Sequence, residues 1–232
     1  LKKDEFVCEC SDIDDMIIFK SNGTMLVTRV TSKLFVGKGI IHMSIFKRND
    51  ERTIYNMIYR DHITNKSYVK RFPVKGVTRD KEYVLSSSLN ANVLYFSANP
   101  NGEAELVTIL LRAKSKLKKI KFDVNFSEFL IKNRSVKGNL VTQHSVNKIE
   151  LKSKGVSTLS GKKIWFDQSI NRINDEKRGE YLGEFSGDDK ILSVNPLGYY
   201  ELLSYDLSNH FSENIVLLEK YESQKVVVAI YY

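Results

Sequence analysis

MIIFKSNGTMLVTRV, residues 16–30, is the stretch that decides the fold. Two apolar runs flank Ser21-Asn22-Gly23, whose residues tolerate the positive φ that a short hairpin turn needs if its twist is to match the strands it joins. Four further segments repeat the plan. They are HITNKSYVKRFPV (62–74) around Asn65, VLYFSANPNGEAELVTIL (93–110) around Gly102, GVSTLSGKKIWFDQSI (155–170) around Gly161 and ILSVNPLGYYELLSYDL (191–207) around Gly198. Counted from Gly23 through Lys66, Gly102, Gly161 and Gly198, the spacings are 43, 36, 59 and 37 residues, the scale of one four-stranded sheet per repeat. A single hairpin cannot bury its apolar face alone, so repeated hairpins stack and share cores. The expected fold is all-β, with five hairpins building about five four-stranded, propeller-like blades in one domain spanning 1–232.

Between the turns the chain stays strand-like, as in ERTIYNMIYR (51–60), KEYVLSS (81–87) and KVVVAIYY (225–232), where Val, Ile and Tyr dominate. No segment sustains an apolar 3.6 period over helical length. AKSKLKKIKF (113–122) scatters Leu117, Ile120 and Phe122 among lysines and reads as a solvated basic loop or the start of a strand. Three prolines and the unbroken strand pattern argue against an internal linker. The chain has no apolar run of eighteen residues and no signal peptide, so the expectation is a cytoplasmic protein without a membrane partner. Leu1 in place of a start methionine suggests a piece of a longer chain. Cys8 and Cys10 in FVCEC are expected to be reduced strand residues, because a bridge across that spacing is strained and two thiols fall short of a zinc site.

Charge is unevenly spread. Residues 1–155 carry 28 Lys/Arg against 16 Asp/Glu, or +12, while residues 156–232 carry 8 against 12, or −4. A basic stripe is the electrostatic footprint of a polyanion ligand, and duplex DNA offers one charge per ~1.7 Å of axis. The basic residues gather where hairpins and the loops after them reach an outer edge: Lys20, Arg29, Lys33 and Lys38; Lys66, Lys70, Arg71 and Lys75; Lys114, Lys116, Lys118, Lys119 and Lys121; Lys132, Arg134 and Lys137. One lysine alone reads as a solvated residue that keeps a sheet edge from pairing. Their recurrence in successive repeats points to phosphate. Gly37, Gly39 and Gly138 let the backbone approach a phosphate and offer it amides, while Lys38, Arg134 and Lys137 add charge. Such contacts position DNA without reading bases, so shape, bending or crossing geometry is the expected preference.

The loop Lys33-Leu34-Phe35-Val36-Gly37-Lys38-Gly39 resembles the Q-R-R-G-G-K-G box that follows the first hairpin in the C-terminal domain of the bacterial gyrase A protein; only its Gly-Lys-Gly end is present. FSEFLIKNRSVKGNLVT (126–142) and GKKIWFDQSINRINDEKRGEYLGEF (161–185) resemble segments of the corresponding topoisomerase IV protein. The resemblance to this C-terminal domain of type IIA topoisomerases covers essentially the whole chain. It implies a β-pinwheel, whose blades exchange strands with their neighbours and bend duplex DNA around a basic outer rim. FVCEC and VVVAIYY would close the ring. The missing Gln and Arg residues of the box favour the topoisomerase IV role, holding DNA for decatenation and relaxation, over full gyrase-type wrapping. A propeller-like scaffold for an acidic protein partner is the reading from a different class.

Catalysis is not expected here. In the family the nucleophilic tyrosine lies in the N-terminal breakage-reunion domain of the same polypeptide, and the ATPase subunit completes an A2B2 heterotetramer. ATP and magnesium therefore belong to other parts of the enzyme, and this domain needs no cofactor. Tyr59-Arg60 places a tyrosine beside an arginine in the wrong order. Asp12, Asp14 and Asp15, like Asp188 and Asp189, precede strands as turn residues do, and no glutamate stands at a useful spacing for a metal. The four histidines lie far apart, and no serine or cysteine sits in a nucleophile motif.

Overall fold

Gly23, at φ 78°, closes the first hairpin: β1 (Asp15–Lys20) pairs antiparallel with β2 (Thr24–Arg29), Ile17 standing opposite Val27. These observations come from a computed structural model that describes residues 6–86, 88, 89, 91–114, 117–187 and 189–228. β3 (Ile40–Ile45) lies along the other edge of β1. The second hairpin joins β4 (Ile54–Arg60) to β5 (Ser67–Phe72) through Asn65, at φ 56°. β6 (Glu82–Val84) crosses back to pair with β2, and β7 (Asn92–Asn99) then pairs with β4. The third hairpin is β8 (Leu106–Leu111) with β9 (Lys121–Asn125); after it β10 (Asn139–Thr142) crosses back to β5 and β11 (Val146–Ser153) pairs with β8. β12 (Lys162–Asp167) pairs with β13 (Arg172–Asn174) and β14 (Glu180–Phe185). β15 (Lys190–Val194) pairs with β16 (Tyr200–Ser204) and β17 (Leu217–Lys220).

In the second, third and fifth repeats a hairpin is followed by a segment that crosses to the second hairpin strand of the preceding sheet and then by a third strand on the first hairpin strand; the first and fourth repeats go from the hairpin to the third strand. The crossing segment is β6 on β2 and β10 on β5, and shrinks to a single bridge where His210 meets Arg172 of β13. The fold is all-β, with strands exchanged between sheets as expected. Among the described residues two sheets have four strands, β3-β1-β2-β6 and β10-β5-β4-β7, and three have three strands each.

Two of the five expected hairpins are not hairpins. The turn at 99–102 forms, with Gly102 at φ 65° and its N–H on the Asn99 carbonyl at 3.0 Å, yet β7 and β8 leave it in different sheets. Residues 156–158, expected to lead into a hairpin at Gly161, instead lie against 102–104: Ala104 N–H donates to the Val156 carbonyl and Thr158 N–H to that of Gly102. The fourth hairpin turns at 168–171, with Asn171 at φ 52°. A turn signature specifies that the chain reverses, not which strand it then joins. The basic run 113–122 joins β8 to β9; its described residues before Lys121 are irregular and Lys121 and Phe122 open β9, as expected. FVCEC is not a strand: residues 6–10 are irregular, with Cys8 half-buried, Cys10 exposed and both thiols free. Residues 225–228 are irregular too, and the rest of KVVVAIYY lies outside the described residues.

The chain divides after Thr158 into two compact units. In the first, β4 is buried on both faces. Tyr55, Met57 and Tyr59 pack with Ile17, Phe19, Met25 and Val27 of the first sheet, the Phe19 ring 4.5 Å from those of Tyr55 and Phe96. Ile58, from the opposite face, packs with Val69, Val107, Ile109 and Phe126. This is period-two alternation used twice, and each fully buried large apolar side chain contributes about 1.5–3 kcal/mol. In the second unit Ile164, Phe166, Ile173 and Phe185 share a core with Ile191 and Phe211. Among the described residues no helix is long and apolar enough to cross a membrane.

Candidate nucleic-acid interface

The best-defined basic surface lies on β5, β6 and the loop 126–138 of the first unit. After β9 the chain makes a 3-10 turn, Phe126–Glu128, with the Asn125 side chain accepting from Ser127 N–H and Phe126 buried in the core. It then runs beside β5, where Ile131 bridges Arg71 and Lys132 N–H donates to the Arg71 carbonyl at 3.0 Å. Asn133 folds the next turn, its side chain accepting from the Ser135 N–H. Gly138, at φ 95°, brings the backbone so close to β5 that a Cβ there would lie 2.4 Å from the Val69 carbonyl oxygen. Only glycine fits.

Lys132 and Lys137 are exposed on this loop and Arg134 is half-buried. The Arg134 guanidinium donates to the Gly76 carbonyl at 3.0 Å and lies 4.8 Å over the Tyr83 ring, which Lys81 approaches at 5.5 Å. Lys137 Nζ lies 4.5 Å over Tyr68, and hydrogen bonding to that tyrosine raises the lysine pKa, so its charge persists through neutral pH. Lys66 completes the group; together with Lys137 it helps lower the Tyr68 pKa, after hydrogen bonds to Thr64 and Lys137. Cations held on aromatic faces are oriented while still facing solvent. Lys81, Tyr68 and Tyr83 were not legible as parts of this surface. Lys81 stands outside the basic clusters, and only the crossing of β6 brings it to Arg134.

The loop 30–39 forms a second basic surface. Lys33 and Lys38 are exposed, as are Leu34 and Phe35, and Gly37 and Gly39 adopt φ 98° and 74°. Gly39 meets the first turn, its carbonyl accepting from Ser21 N–H at 2.7 Å. Arg29 is exposed at the end of β2. Lys20 is largely covered and pairs with Glu82 at 2.8 Å, a hydrogen bond that holds the glutamate pKa down. Lys114, Lys118, Lys119 and Lys121 are exposed, and Lys116 lies outside the described residues. Lys75 is exposed and paired with Glu51 at 2.5 Å.

Two expected contacts must be corrected. Lys70 and Arg71 are 4% and 2% exposed, because β10 and the loop 126–138 cover β5. The Arg71 guanidinium donates to Asn56 Oδ1 at 3.1 Å, to the Gly102 carbonyl at 2.9 Å and to Thr158 Oγ1 at 2.9 Å. Burial lowers its pKa and nearby Glu105 raises it. Lys70 is held among backbone carbonyls. Neither can meet a phosphate.

Groups singled out for other chemistry are engaged locally. The Tyr59 hydroxyl is buried and donates to the Lys137 carbonyl at 2.6 Å. Asp14 accepts from Ser11 N–H, Asp15 pairs with Arg79 at 2.9 Å and Asp189 pairs with Lys220 at 2.7 Å; Asp188 lies outside the described residues. Among the described residues no three His, Cys, Asp or Glu side chains are grouped to hold a metal ion.

Comparison with known proteins gives these basic loops a context. Residues 1–154 and 172–232 match the family described as topoisomerase C-terminal domain, Bacteroidota. The chain is similar to the A subunit of DNA topoisomerase 4 from Borreliella burgdorferi, 28% identical over 149 residues, which are 64% of this chain and 22% of that relative. The chain thus spans about a fifth of that relative's length. Among solved structures it is similar to the C-terminal domain of DNA topoisomerase IV, at 11% identity and TM-score 0.43, covering 91% of this chain and 80% of that one. It is also similar to the DNA gyrase A C-terminal domain, at 13% identity and TM-score 0.30, covering 92% and 84%.

Proposed function

This chain belongs to the family of topoisomerase C-terminal domains, Bacteroidota, and on that premise we propose that it is a non-catalytic domain that captures and bends duplex DNA for topoisomerase IV. The observation that carries the reading is the loop 126–138, locked on β5 by Gly138, with Lys132 and Lys137 exposed and Arg134, Lys66 and Lys81 beside them. Spaced cations on a rigid backbone suit phosphates, and nothing in the group is shaped for base edges. The exposed Lys33 and Lys38 of the loop 30–39, and Lys114, Lys118, Lys119 and Lys121, offer the same chemistry elsewhere in the first unit. Decatenation and relaxation would be carried out by the assembled enzyme, with the breakage-reunion domain of the same polypeptide and an ATPase subunit in an A2B2 assembly. Catalytic tyrosine, magnesium and ATP would be supplied there, and this domain would use no cofactor of its own. Gyrase-type wrapping is the second reading, favoured by Gly37-Lys38-Gly39 and opposed by Lys33-Leu34-Phe35-Val36, which replace the rest of that box.

Titration against a duplex of about 40 base pairs at two salt concentrations tests the proposal, since each neutralised phosphate contributes about −0.9 to the slope of log K against log salt. A steep slope that becomes shallower in Lys38→Ala/Arg134→Ala/Lys137→Ala supports phosphate capture. Negligible binding at low salt removes the DNA reading and favours an acidic protein partner.

A further inference from the structure

Lys70 sits in the middle of a strand whose every residue is buried. Its ammonium donates to three backbone carbonyls, those of Leu85 at 2.7 Å, Arg134 at 2.5 Å and Val136 at 2.7 Å, with the Phe72 ring 4.9 Å away. An ammonium has three N–H donors and no acceptor, so three carbonyls satisfy it completely. Two of those carbonyls belong to the basic loop and the third follows β6, so one side chain ties three segments together. Burying an ammonium is costly and is tolerated only where its donors are all used. An apolar residue at position 70 would fill the space but leave the Arg134 and Val136 carbonyls without this partner.

We propose that Lys70 is a positioning residue of the DNA-binding surface: it fixes the backbone of 132–137 so that Lys132 and Lys137 stand at a set spacing, and it never touches DNA. Three neighbouring bonds share the task. Tyr59 hydroxyl donates to the Lys137 carbonyl, Lys132 N–H to the Arg71 carbonyl and Arg134 to the Gly76 carbonyl. Lys70 is the member that grips the centre of the loop. The inference rests on the DNA-binding reading for its consequence, though the grip itself does not depend on DNA.

The test compares wild type, Lys70→Met, Lys132→Ala/Lys137→Ala and the triple variant, each titrated with a 40-base-pair duplex at two salt concentrations. Amide hydrogen exchange over 132–138 is followed in parallel. Lys70→Met is expected to speed exchange in the loop by about tenfold or more while strand amides stay protected. It is also expected to make the salt slope shallower by about 1 to 2, at about 0.9 for each phosphate no longer neutralised. In the Lys132→Ala/Lys137→Ala background it should add nothing, because its effect passes through those two side chains. An unchanged slope, or equal weakening in both backgrounds, overturns the proposal. If Lys70→Met does not fold, Lys70→Gln, which keeps two N–H donors, is expected to show the same changes in smaller measure. Should wild type itself not bind DNA, the DNA reading fails, and the exchange rates alone decide whether Lys70 grips the loop.

Discussion

At the scale of single residues, burial separates basic side chains that look alike in sequence. Lys66, Lys70 and Lys75 lie within ten positions; the first is half-buried, the second buried and the third exposed. Burial pulls the Lys70 pKa from 10.5 down to about 8, and its three carbonyl partners keep it an ammonium at neutral pH. The unfolded chain holds that proton up to the ordinary lysine range, whereas the native state releases it near 8. Between those values the unfolded state binds more protons, so stability rises with pH, by at most about 3 kcal/mol at about 1.36 kcal/mol per pKa unit. Below pH 8 the contribution is flat. Urea unfolding of wild type and Lys70→Met at pH 7.5 and pH 10 is expected to show wild type gaining relative to the variant at the higher pH. An equal difference at both values would mean the native pKa is not lowered.

At the scale of elements, β5 shows how one strand can be read correctly and its role misread. Its β-branched and aromatic residues after an Asn turn specify a hairpin strand, and it is one. What SYVKRF does not specify is that β10 and the loop before it will cover that strand, with Thr142 standing opposite Ser67 and the Val136 carbonyl accepting from Lys70. Arg71 becomes the tie between β4, β5, the corner at 102–103 and Thr158, beside a buried Glu105 that Asn56, Tyr95 and Ser97 hydrogen-bond. Arg71→Met removes the cation and leaves that carboxylate without its charge partner. It also leaves Asn56 Oδ1 and the Gly102 carbonyl without this donor, and the expected loss is about 1–3 kcal/mol for each buried acceptor so exposed. Lys75→Ala, which breaks an exposed pair with Glu51, is expected to cost under about 1 kcal/mol. Chemical denaturation of both variants checks the contrast; similar small losses would show that the Arg71 network does not hold the sheets together.

For the whole molecule, the charge split between 1–155 and 156–232 bears on how DNA is held. The exposed cations described above, from Arg29 to Lys137, all belong to the first unit. Topoisomerase IV-type capture predicts bending without extensive wrapping. Relaxing a closed plasmid in the presence of the protein and then removing it should leave the linking number nearly unchanged. A ladder of trapped superhelical turns that grows with protein would instead establish the gyrase-type reading.

The sequence by itself determined the all-β class, the repeat of hairpins and the true turns at Gly23, Asn65 and Gly198, because positive-φ residues and period-two alternation act locally. It also located the cationic stretches at 33–39, 113–122 and 126–142, since charge needs no fold to be counted. Tertiary structure alone decided that the turn at Gly102 is a corner between sheets, that β6 and β10 cross to strands of earlier sheets, and that Lys70 and Arg71 are interior ties. The physical reason is the same in each case. Hydrogen-bonding edges of strands are alike in composition, and which edge a strand meets is settled by the packing of side chains distant in sequence.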